Sequence, residues 1–248
     1  MVRSKIVLYG ITVIVSLLFF VIFYTPASLV FKLFQDDIAQ LPDTSIFQIT
    51  GSVWNGSADI QYLNFPSSEI NWILAPNSLP YGHAEFAISA SGVNHDLEGR
   101  FVTNGDQGEF LGLRGINDSR YNNQVGKYHG IFLSGVLDFK DINLSIDNGW
   151  FSSGSGKIDW TGGKVMFRTG DGGRTLNLPA LNGIVSVKEK KLALHIYNGE
   201  QLGFSIHLQR DGWVFLQFTS RFLSLAGFPG GEYFEPDSVI FTIEEKIL

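Results

Sequence analysis

Five histidines, His83, His95, His129, His195 and His207, are the first residues to weigh for chemistry. A zinc site takes three or four ligands and usually includes one close pair, such as His-x-x-x-His on one helical face. No such pair occurs here. His195 and His207 stand at the polar positions of alternating runs, which assigns them to a strand surface. The adjacent carboxylates Asp36-Asp37 and Glu244-Glu245 point to opposite faces if they lie on strands, so neither pair shares a proton easily. No serine has glycine two residues before and two residues after it, so the hydrolase nucleophile elbow is absent. Gly149–Lys157 resembles a phosphate loop, but its lysine falls late and Ile158 stands where a hydroxyl should meet magnesium. Gly170–Thr175 reads as a hairpin turn, and the sequons at Asn55, Asn117 and Asn143 read as turn and strand positions. The expectation is no catalytic, cofactor-binding or metal-ligating set, and no enzyme.

The elements that position these residues follow from composition and pattern. The chain has 248 residues, no cysteine and a net charge of −6. Disulfides, thiolate metal sites and a lipid-modified cysteine are thereby excluded. Hydrophobic residues make up 44% and aromatics 14%, which excludes bulk disorder. An acidic chain with no Lys/Arg-rich block lacks the electrostatic footprint of a nucleic-acid partner.

Residues 6–24 carry no charge. As a helix they cross a hydrocarbon layer of about 30 Å, so 1–5 is expected to be cytoplasmic and 6–24 transmembrane. Arg3 and Lys5 precede the segment while Asp36 and Asp37 follow it, which places the N-terminus inside by the positive-inside bias. The run is longer than a signal-peptide core, and Pro26 falls in the small-residue stretch where cleavage would occur, so a retained anchor is expected. Residues 25–48 read as a membrane-proximal connector, helical over Ser28–Gln40.

Beyond Leu41 the pattern changes to period two. Ile142-Leu144-Ile146, Leu192-Leu194-Ile196, Phe204-Ile206-Leu208, Val214-Leu216-Phe218 and Val239-Phe241-Ile243 each alternate, which predicts half-buried strands. Asn-Gly at 55-56, 104-105, 148-149, 182-183 and 198-199, with Asp-Gly at 171-172 and 211-212, predicts hairpin turns. Residues 192–218 therefore read as a three-stranded meander. The predicted fold is an all-β exported domain of antiparallel meanders, a sandwich, barrel or curved groove, after one N-terminal transmembrane helix. Its division is a first β unit at 49–130, ending in a looser connection over Asn104–Gln124, and a second at 131–248.

Three segments are more specific than composition. They are Pro26-Ala27-Ser28-Leu29-Val30, Gly51-Ser52-Val53-Trp54-Asn55-Gly56 and Trp72-Ile73-Leu74-Ala75-Pro76 through Gly82. With Leu133–Leu137 and the Gly156–Trp160 stretch, they resemble protein N of the type II (general) secretion apparatus of Gram-negative bacteria. The resemblance implies a single-span inner-membrane protein with a periplasmic β domain, other secretion subunits as partners, and a part in exporting folded proteins. It implies no catalytic residue and no cofactor. Pro26, Gly51, Trp54, Gly56, Trp72, Pro76, Gly82 and Trp160 are its motif positions and read as turn and core residues, with Trp54 and Trp72 expected in the core.

Two functions remain open at this level. One is a non-enzymatic assembly component offering strand edges to other subunits. The other is a periplasmic lipid-handling protein of the lipopolysaccharide-transport or AsmA-like type, whose partner is lipid. A continuous apolar channel open along one side favours lipid, and a closed sandwich favours a scaffold.

Overall fold

Because side chains alternate along a strand, hairpin pairing aligns apolar residues of neighbouring strands on one side of a sheet. The computed structural model of the chain describes residues 2–33, 43–62, 65–120, 123, 131–169, 172–228 and 233–246. Strands β1 (Thr44–Gly51), β2 (Asn55–Tyr62), β3 (Ser68–Ala75), β4 (Ala84–Ser91), β5 (His95–Thr103), β6 (Gln107–Asp118), β7 (Ile131–Leu133) and β8 (Val136–Asp147) come first. They are followed by β9 (Trp150–Trp160), β10 (Gly163–Thr169), β11 (Gly172–Leu178), β12 (Leu181–Lys188), β13 (Lys191–Asn198), β14 (Gln201–Leu208), β15 (Trp213–Thr219) and β16 (Val239–Lys246). Thirteen of them form one antiparallel sheet in the order β1-β2-β3-β4-β5-β6-β8-β9-β12-β13-β14-β15-β16. The other three form a small sheet, β11-β10-β7.

The expected meander is present, with Leu194 opposite Ile206 and Ile206 opposite Leu216. Its turns at Asn198-Gly199 and Asp211-Gly212 use the left-handed glycines that such turns require. Two other Asn-Gly pairs are not turns. Asn182-Gly183 lies inside β12, and Asn55-Gly56 opens β2 after a turn made by Ser52, Val53 and Trp54. Conversely, Glu189 and Lys190 both adopt positive φ between β12 and β13 without any glycine.

The stretch Asn104–Gln124, expected to be loose, contains the twelve-residue strand β6. Gly105, at φ +101, turns the chain between β5 and β6, while Gly108, Gly112 and Gly115 lie within β6, which pairs with β8 from Gln107–Asp147 to Asp118–Val136 across two register shifts. The β units at 49–130 and 131–248 are therefore joined through one continuous sheet, and β1 already begins at Thr44, within the expected connector.

Helix α1 spans Val2–Tyr24 and α2 spans Ala27–Leu33. Pro26 separates them; its carbonyl accepts from the Leu29 amide, and it bridges to Ser52. The expected helix from Ser28 thus starts one residue earlier. Its continuation to Gln40, with Phe34, Ile38 and the Asp36-Asp37 pair, lies outside the described residues. Among the described residues no helix is long and apolar enough to cross a membrane.

A compact chain of 27.5 kDa exposes about 11,000 Å² by the scaling of monomeric proteins, and this one exposes 15866 Å². The excess reflects a mostly single-layered sheet and a helix α1 whose described side chains are largely exposed outside its last turn. A core forms where the small sheet and a third helix, α3 (Ser220–Leu225), fold over the large sheet. Val165, Leu178, Leu181, Phe222 and Ala226 are buried there against Trp160, Phe204 and Phe218. Helix α3 was not foreseen from the pattern. Thr219, extended at φ −79 and ψ 159, caps it, with Oγ1 accepting from the Phe222 amide and donating to the Gly203 carbonyl at 2.6 Å.

Candidate interaction surface

Register decides what each face of the large sheet presents. On one face Ile70, Trp72 and Leu74 of β3 pair with Ala90, Ile88 and Phe86 of β4. The same side continues through Phe101, Phe110 and Leu144 to Ile158, Leu194, Ile206 and Leu216. From β2 to β15 the register places no Asp, Glu, Lys or Arg on it. Most of these side chains are half-exposed; among the described residues, α3 with the small sheet covers one end of the face and α2 lies over part of the other.

The opposite face carries the charge. Arg100 pairs with Glu85 at 3.0 Å and Arg114 with Glu98 at 2.8 Å. Lys140 bridges Asp159 at 2.6 Å and Asp138 at 3.2 Å, and Asn182 donates to Asp159. Hydrogen bonds from Lys140 and then Asn182 hold the Asp159 carboxyl below the usual range, and those to Asp159 and Asp138 raise Lys140. Such cross-strand ladders fix register and are individually weak because they are exposed.

His195 and His207 lie on this polar face with ring centroids 5.6 Å apart, and His207 Nε2 meets Ser205 Oγ at 2.9 Å. They line an open cleft of about 580 Å³ with Lys188, Lys191, Glu189 and Glu244. Partial burial lowers both imidazoles; the neighbouring His195 charge lowers His207 further, and Lys188 lowers His195 further. A depressed histidine leaves the folded state binding fewer protons than the unfolded one below about pH 6.5. Their stabilising contribution is thus full above that pH and is lost as the pH falls through the folded pKa values. Melting temperature is expected to fall between pH 7.5 and 5.5, and less so in His195→Gln/His207→Gln; an equal fall in both would remove these histidines as the cause. Among the described residues no three His, Cys, Asp or Glu side chains come together as a metal site. His129 lies outside the described residues.

The motif residues gather on one rim of the sheet. Gly51, at φ +77, sits opposite Gly56, and Trp72 crosses Gly56 with Nε1 donating to the Ser52 and Val53 carbonyls, each at 3.2 Å. Trp54 stacks on Phe23 of α1 with centroids 5.1 Å apart, and its carbonyl accepts from Leu74. Pro76 follows the end of β3, and Gly82, at φ +81, closes the single helical turn Leu79–Tyr81. Pro26 joins this group through Ser52. Trp160 does not: it ends β9 at the opposite rim, where Nε1 donates to the Ser134 carbonyl at 2.9 Å.

Trp54 and Trp72, expected in the core, are both only partly buried. A single-layered rim has no second layer to cover large rings, so an α1 ring and backbone carbonyls serve as their partners. Trp54→Ala is consequently expected to cost about 1 kcal/mol, the worth of one aromatic pair, rather than a core cavity. A loss above 3 kcal/mol in chemical denaturation, the range of a fully packed Trp, would contradict this placement.

The residues that sequence reasoning missed are those closing the apolar face: Val165, Leu178 and Phe222. The period-two pattern assigned a face to each strand but gave no sign that β7, β10 and β11 leave the main sheet.

One charged face and one charge-free face on a single large sheet define an antiparallel β protein. The chain belongs to the protein N family of the type II secretion system, whose model matches residues 42–229, well over half its length. No curated protein and no solved structure matches it. The family is that of a structural secretion-apparatus component, and it fits a Gram-negative envelope.

Proposed function

We propose that this chain is a non-catalytic component of the type II apparatus, held in the inner membrane by α1, with its sheet in the periplasm. The carrying observation is the junction between helix and sheet. Helix α1 has 23 residues, about 34 Å, and its described apolar side chains, Phe19, Phe20 and Val21 among them, face outward. Its last turn meets the sheet through Phe23 and Trp54, so membrane and sheet are coupled by packing as well as by the chain. On this reading 1–5 is cytoplasmic, 6–24 spans, and the connector leads into two β units that share one sheet.

Among the described residues the large sheet ends in β1 and β16. Every residue of β16 except Ile240 is exposed. Such an edge accepts a strand from another subunit.

The absence of cysteine allows a direct test in cells. Tyr81→Cys and Tyr233→Cys introduce thiols at positions that are each 82% exposed. A membrane-impermeant maleimide should label both in spheroplasts with an intact inner membrane. Labelling only after permeabilisation would reverse the topology. A photoreactive residue at Thr242 should yield adducts with other secretion subunits; retained exoprotein secretion in a strain lacking the chain would remove the export role.

A further inference from the structure

We propose that the charge-free face of the large sheet binds an acyl chain of a bilayer lipid. This rests on the reading that α1 is membrane-embedded.

The occupant follows from what the face offers. The strand backbone groups beneath it are engaged in the sheet ladder, and the side chains on it from β2 to β15 carry no charge. An extended peptide laid there would bury amides and carbonyls with nothing to receive them. A hydrocarbon chain has no such groups. Its transfer from water is favourable for every methylene buried, so a face of half-exposed Phe, Leu and Ile is a matched acceptor.

Position selects the bilayer as the source. At the α2 end a cavity of about 460 Å³ opens between Val30 and Phe31 of α2 and Ile60, Ile70, Trp72 and Phe86 of the sheet. Helix α2 begins three residues after α1 ends, so this cavity adjoins the segment that leaves the membrane. Onward across the sheet, Phe86, Phe101 and Phe110 form a row with centroids 6.5 and 4.7 Å apart. The face ends in a second apolar cavity of about 330 Å³, bounded by Leu194, Ile206, Leu216 and Phe218 and roofed by Val165 and Phe222. Both volumes lie within the range of small-ligand sites, about 300–1,000 Å³. The two cavities thus lie on one uncharged face, one beside α2 and the other under α3, with the aromatic row between β4 and β6 extending from the first.

The test places p-benzoylphenylalanine in the full chain in native membranes at four positions, one per variant. Phe204 and Leu216 lie on the apolar face, His207 on the polar face and Phe20 in α1. Membranes carrying phosphate-labelled phospholipid are illuminated, and the purified chain is read for lipid label. Label is expected at Phe204, Leu216 and Phe20, and lost at His207. The paired positions guard against one variant failing to fold. Label at Phe20 with none at Phe204 and Leu216, or with protein adducts there instead, overturns the acyl proposal and leaves the anchor standing. Equal label at His207 also overturns it, as nonspecific contact. No label at Phe20 overturns both readings.

Discussion

Phe222→Ala will lower the unfolding free energy of the sheet by about 3–5 kcal/mol, the range for truncating a packed aromatic side chain. Phe222 is 6% exposed and meets Phe204 at 4.9 Å edge-on and Phe218 at 5.5 Å. It also follows the cap of α3, so its amide and its ring fix the same turn from two sides. Removing the ring opens a void between α3, the small sheet and the large sheet, the place where the described chain builds a buried cluster. Urea denaturation with tryptophan emission from Trp160, which packs against that cluster, gives the readout. A loss under about 1 kcal/mol, the scale of a surface substitution, would show that the two layers are not held by this contact.

Gly56→Leu should cost about 3 kcal/mol, the upper end of overpacking. A Cβ at Gly56 alone would lie 2.5 Å from Trp72 Cζ2, 2.6 Å from the Thr50 carbonyl oxygen and 2.9 Å from that of Ser52. The indole can swing away, but the two carbonyls belong to β1 and its turn and cannot. Displacing Trp72 also forfeits its hydrogen bonds to Ser52 and Val53, the link between β3 and the turn beside α1. The expected result is a lower denaturation midpoint together with red-shifted tryptophan emission. An unchanged midpoint would mean that the ring does not occupy the space over Gly56. Double substitution with Trp72→Ala should recover part of the loss, since the pair shares one space.

Much of the strand content was legible because it is local. Alternation in Leu192–Ile196, Phe204–Leu208 and Val214–Phe218, separated by Asn-Gly and Asp-Gly, specifies three strands and two tight turns without reference to the rest. Where the same local signal stood in other surroundings it misled. Asn182-Gly183 continues β12, where a Cβ on Gly183 would meet Leu194 at 2.9 Å, so the glycine answers a close neighbour and not a turn. Gly112 and Gly115 likewise sit at register shifts within a long strand rather than in a loose link. The motif residues were legible by type, but their meeting at one rim with Phe23 was not, because Trp54 and Phe23 lie far apart in sequence and neither announces its partner.

By itself the sequence determined the family, the antiparallel strands and the apolar N-terminal helix. Each of these is written in nearest-neighbour periodicity, turn dipeptides or residue type. The tertiary structure alone decided that thirteen strands share one sheet, that three others leave it to roof one end, and that the apolar faces fall in line. Those outcomes depend on pairing register between distant segments and on which layer covers which, and a register slip of one residue would have turned any strand's apolar side to the charged face.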